Sequence, residues 1–218
     1  MGMTARKALL AAAIAASALA GCRSEGDIVV QQGVGITALR TVCPAVGVVD
    51  YTGDITLFQP ADARTADALD VTASITNVRS ECNDTGEQVY ATVTFDVLGQ
   101  RRDTAGARSV ALPFYTVVVR GGSSVVAKRV GSVTLNFADG QARAQAVGTG
   151  SAYIDRAAAT LPDDIRRRIT RRRNAGEEDA AVDPLSEPDV RAALASASFE
   201  VLVGFQLTQD QLEYNATR

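Results

Sequence analysis

Histidine and tryptophan are both absent from the 218-residue chain. Without an imidazole, Ser-His-Asp and Cys-His catalysis are excluded, as is any zinc site that relies on histidine. Cysteine, carboxylate and guanidinium groups are left to carry chemistry. The three cysteines are Cys22, Cys43 and Cys82, and no Cys-x-x-Cys pair exists to support thiol redox work. A glycan hydrolase needs two carboxyl groups at a defined separation. Asp54, Asp62, Asp67, Asp70 and Glu81 are scattered through turns and polar strand faces, and no pair stands out. Basic charge concentrates at Arg166, Arg167, Arg168, Arg171, Arg172 and Arg173, followed by Glu177, Glu178 and Asp179. Such a run reads as a solvated, partly neutralised helix face. It also reads as an anion-binding surface for phospholipid headgroups, lipopolysaccharide phosphate or peptidoglycan carboxylates. Gly33-Val34-Gly35-Ile36-Thr37-Ala38 matches a dinucleotide fingerprint, but Cys43-Pro44 follows too soon for the helix that the phosphate site requires. No cofactor and no metal are implied.

The amino terminus carries the most specific signal. Arg6 and Lys7 precede an apolar run over 8–18, closed by Leu19-Ala20-Gly21-Cys22. A basic start, a short apolar stretch and small residues at the cleavage point make a secretory signal, too short to span a bilayer. Met1-Gly2 is not a myristoylation site, because Arg6 stands where Ser or Thr is required. Leu19-Ala20-Gly21-Cys22 resembles the lipobox of bacterial lipoproteins. That resemblance implies a diacylglyceryl group on Cys22, cleavage after Gly21, and a further acyl chain such as palmitate on the new amino terminus. Each buried CH₂ contributes about 0.8 kcal/mol, so several chains hold a protein on a membrane far more firmly than one. Arg23 stands where Asp favours inner-membrane retention in such lipoproteins, which points to the outer membrane, facing the periplasm. With its Cys43-Pro44 start, long β run and closing Gly204-Phe205-Gln206-Leu207, the chain is similar to uncharacterised lipoproteins of alphaproteobacteria.

Lipid on Cys22 leaves Cys43 and Cys82, and export delivers them to an oxidising compartment, so they are expected to pair. Removal of residues 1–21 takes away Arg6 and Lys7 and leaves 20 basic against 25 acidic residues, a mature charge of −5. That balance argues against nucleic-acid binding. The expected partners are a membrane, through the anchor, and an envelope protein or polymer.

Behind these residues lies a period-two pattern. Leu69, Val71, Ala73 and Ile75 alternate with polar residues, as do Val89, Ala91, Val93, Phe95 and Val97. Asn83-Asp84-Thr85-Gly86 supplies a turn between them. A third segment covers 109–120, with Pro113 restricting its first half to an edge or bulge. The apolar phase then slips from Val126 and Val130 to Val133, Leu135 and Phe137, which suggests a bulge near Gly131. Asp139-Gly140 signals a hairpin, and Ala142, Ala144, Ala146, Gly148, Gly150 and Ala152 form a small-residue face that implies a close neighbour, most simply the facing sheet or a helix of the same domain, with a ligand groove as the alternative. Leu161, Ile165 and Ile169 recur at helical spacing after Pro162, and a second helix is expected from Ser186, with Asp189 completing a capping box and Leu185 stapling Val190. Phe199, Val201, Val203, Phe205 and Leu207 make a last strand, and Thr208 with Gln211 a short capped turn.

About seven strands with helices only near the end fit a mainly β, antiparallel β-sandwich, with one or two helices inserted before the last strand. The expected organisation is a signal peptide over 1–21, a lipidated tether over 22–41 and one sandwich domain over 42–218 with a helical insertion at 160–197. The expected function is that of a non-enzymatic, membrane-anchored envelope component for binding or assembly, acting through an exposed strand edge or the arginine-rich helix. A carboxylate-based envelope enzyme such as a glycan hydrolase is the alternative.

Overall fold

Alternation of Val, Phe and Leu with Thr, Ser and Asp gives the long strands a dry face over at least part of their length, and two such sheets bury those faces against each other. The computed structural model describes residues 40–217. They fall into two compact units, one of residues 40–171 with 183–217 and one of 172–182.

The larger unit is mainly β. Its strands are β1 (Ala45–Val48), β2 (Asp54–Phe58), β3 (Leu69–Asn83), β4 (Gln88–Arg101), β5 (Arg108–Arg120), β6 (Ser124–Phe137), β7 (Arg143–Asp155) and β8 (Phe199–Phe205). They form two four-stranded sheets in the orders β1-β8-β5-β6 and β2-β3-β4-β7. Every pairing is antiparallel except that of β1 with β8. Val89, Val93, Phe95 and Val97 of one sheet meet Leu112, Phe114, Leu135, Phe137 and Val203 of the other, all almost wholly buried. The Phe95 and Phe114 rings cross edge to face at 5.1 Å between the sheets. Each such side chain contributes about 1.5–3 kcal/mol when fully buried, which makes this layer the chief source of stability.

Several local expectations hold. Asn83 Oδ1 accepts from Thr85 N at 3.0 Å and closes the β3–β4 turn. Pro113 lies where β5 has lost its β8 neighbour: β8 pairing runs only from Phe114, so the first half of β5 is an edge on that side. The small-residue face of β7 turns inward, and a Cβ on Gly148 would lie 2.2 Å from the Phe95 ring. The close neighbour is therefore the protein's own core.

Others need correction. The β6 ladder runs unbroken through Gly131, which faces Phe114, and the register shift lies at the other end of the strand, between Val125 and Ala127. Val130 is simply on the solvent face, so no phase slip exists at Gly131. The Asp139-Gly140 turn does reverse the chain, but β6 and β7 enter different sheets and do not form a hairpin ladder.

Three helices complete the larger unit: α1 (Asp163–Thr170), α2 (Pro188–Ala197) and α3 (Gln209–Thr217). Ile165, Ile169 and Val190 make a small second core with Leu161 and Leu185. Glu187, not Ser186, is the residue before α2, and no side chain caps it; Asp189 is drawn instead to Arg168. Thr208 and Gln211 do cap each other, and the turn they start extends into the full length of α3. In the small unit, Asn174 donates to Glu177 at 2.9 Å and Arg173 to Asp179 at 3.2 Å.

Candidate functional site

Cys22, the expected lipid attachment point, and the Gly33–Ala38 stretch lie outside the described residues. Cys43 and Cys82 are joined by a disulfide, with their Cα atoms 6.0 Å apart. Cys43 stands just before β1 and Cys82 near the end of β3, so the bridge ties the two sheets where the chain enters the fold.

The arginine cluster is divided among different tasks. Arg166 donates to Asp163 at 2.7 Å, one helical turn away. Arg168 reaches across to Asp189 at 2.5 Å and to Glu187, fastening α1 to the start of α2. That guanidinium holds the Asp189 carboxyl below the usual carboxylate range. Arg173 is engaged by Asp179 within the small unit. Arg167, Arg171 and Arg172 are exposed. Acidic partners hold Arg166, Arg168 and Arg173, and Arg168 does the structural work of joining two helices.

The scattered carboxylates converge only in part. Asp67 and Asp70 line an open cavity of about 650 Å³ at one end of the sandwich, with Asp103, Arg102 and Arg108. Arg108 grips both oxygens of Asp70 at 2.6 Å each. Those hydrogen bonds hold the Asp70 carboxyl below its ordinary range, with burial opposing them. A general acid of a glycosidase requires the opposite shift, toward the protonated form at working pH. Asp54 accepts from Ser74 at 2.5 Å, while Asp62 and Glu81 are exposed. Among the described residues no three Asp, Glu or Cys side chains cluster so as to hold a metal, and no helix is long and apolar enough to cross a membrane.

Two features escaped the sequence reading. Arg101, at the end of β4, is 2% exposed, and its guanidinium donates to the backbone carbonyls of Gln141, Gly106, Thr104 and Ala138 at 2.8–2.9 Å. Its position continues the inward phase of Val89 to Val97, and that parity was the available signal. The other is the outer half of β6. Residues 124–130 are exposed throughout, although they form a ladder with β5. Val125 and Val130 are each 63% exposed and Val126 53%. Lys128 lies 4.4 Å from the centre of the Tyr115 ring, and Arg129 covers Tyr153 of β7. β6 is an outermost strand, so its second edge carries backbone donors and acceptors with no ladder partner among the described residues. No protein-family model, no curated protein and no solved structure matches this chain.

Proposed function

We propose that this chain is an exported lipoprotein of the uncharacterised alphaproteobacterial type, anchored through Cys22, whose sandwich binds an envelope partner and carries out no reaction itself. The observation that carries the reading is the distribution of its three cysteines. One ends a basic, apolar, small-residue leader in lipobox register, and the remaining two are joined to each other. A disulfide of this kind persists in oxidising compartments, which agrees with export. Arg23 in the position after the modified cysteine favours transfer to the outer membrane, with the sandwich in the periplasm. Binding is preferred to catalysis because Asp70, in a cavity that gathers two of the candidate carboxylates, is tied to Arg108 as an ion pair.

Fractionation of cells producing the chain with and without Cys22→Ala tests the anchor. The parent is expected in the membrane fraction, resisting high salt and released by detergent, with the variant lost from the processed, detergent-released pool. Equal partition of parent and variant into the salt-soluble fraction would overturn the proposal.

A further inference from the structure

We propose that the outer half of β6, residues 124–130, is a docking edge for an extended acidic polypeptide segment, which adds to it as a further strand. This inference rests on the envelope-binding reading for its biological setting but not for its chemistry.

Three observations lead to it. The first is an open edge: β6 pairs with β5 alone, and its first seven residues are exposed on both faces while the second half alternates between core and solvent. An incoming strand gains main-chain hydrogen bonds along such an edge, with alternate side chains supplying specificity. The second is apolar contact. Val125, Val126 and Val130 are large side chains left more than half exposed on this short stretch. The third is charge. β6 and β7 carry Lys128, Arg129 and Arg143 against a single acid, Asp155, in a mature chain whose own balance is −5. Lys128 and Arg129 are consecutive on a strand, so they present positive charge on both of its faces. Their aromatic neighbours Tyr115 and Tyr153 accept cation–π contacts and leave the two without a carboxylate partner among the described residues.

Charge also decides between occupants. A second copy paired antiparallel through this segment brings Lys128 and Arg129 against their own counterparts, and like charges across a ladder are destabilising. An acidic strand meets the same cations favourably and gains a faster, salt-sensitive association.

The test uses the full mature chain with its disulfide intact and Cys22 replaced by serine, so that it does not depend on lipidation. Amide hydrogen exchange is followed while a short peptide alternating glutamate and valine is added, with the lysine–valine peptide as control. The acidic peptide is expected to slow exchange at residues 124–130, and Lys128→Glu with Arg129→Glu to weaken its binding by about 10-fold or more. Lys128→Gln with Arg129→Gln serves if the charge reversal perturbs folding. Equal binding of the two peptides overturns the proposal. So does protection that maps to α1, protection already complete in the free protein, or concentration-dependent self-association through this edge. Cys22 fractionation can fail while peptide binding succeeds, and the reverse, so the two proposals fall separately.

Discussion

Replacing Arg101 by alanine is expected to be among the most damaging single changes available in this fold. The side chain is 2% exposed and charged, yet its guanidinium faces four backbone carbonyls and no carboxylate among the described residues. Such burial is tolerable for guanidinium because its charge is delocalised, its hydration weak and its donors fixed in a planar fork. The four acceptors belong to the 102–107 and 138–142 connections, so one side chain holds both loops against the end of β4, stacked 5.3 Å from the Phe137 ring. Hydrogen bonds to charged groups are worth about 1.5–3 kcal/mol each. Three of the acceptor residues, Gly106, Ala138 and Gln141, are exposed enough for water to replace the lost donor. The net cost of Arg101→Ala is therefore expected to be about 3–5 kcal/mol, near the value for breaking a buried charge network. Arg101→Lys keeps the charge but loses the fork, and about 2 kcal/mol or more is expected to go with it. Urea unfolding with the disulfide intact measures both through the midpoint at constant slope. A cost below about 1 kcal/mol for the alanine variant, or a lysine variant as stable as the parent, would refute this reasoning.

Other consequences follow from the same geometry. Reducing Cys43–Cys82, which spans 39 residues, is expected to cost about 4 kcal/mol of stability on the chain-entropy model, read as a lower midpoint in reductant. Asp70 has a folded-state pKa below its unfolded value, so its contribution is present above the unfolded value and fades as pH falls through the folded one. Asp70→Asn should remove that acid-side loss in a stability–pH profile. Because Arg108 is 43% exposed, the change at neutral pH is expected to stay near about 1 kcal/mol. Gly148→Ala drives a methyl group into the Phe95 ring and is expected to cost about 1–3 kcal/mol by thermal unfolding, partly recovered by Phe95→Leu in the same chain.

How far the fold could be read from sequence depended on whether a segment has one dry face. β4 alternates without a break because Val89 to Arg101 point into the core and their neighbours into water. β6 misled the same rule. Residues 124–130 have water on both sides, so the order of Val125, Val126 and Val130 carries no core signal, and the apparent slip at Gly131 is absent from the ladder. Turn chemistry was informative only locally. Asp139-Gly140 specifies a reversal, but whether the next strand pairs with β6 or crosses to β4 is decided by long-range packing. The arginine cluster shows the same limit: Arg168 finds Glu187 and Asp189 only because α2 folds back on α1, about twenty residues further along the chain. Cys43 and Cys82 were the opposite case, since counting alone left a single pairing once Cys22 was set aside for lipid.

The mass of the intact mature protein, extracted from cells with detergent under non-reducing conditions, tests the central claim most directly. The account predicts a chain beginning at Cys22 that carries the added mass of its diacylglyceryl and acyl groups and lacks the two hydrogens of a Cys43–Cys82 bond. A polypeptide of unmodified mass, beginning at another residue and recovered without detergent, would contradict it.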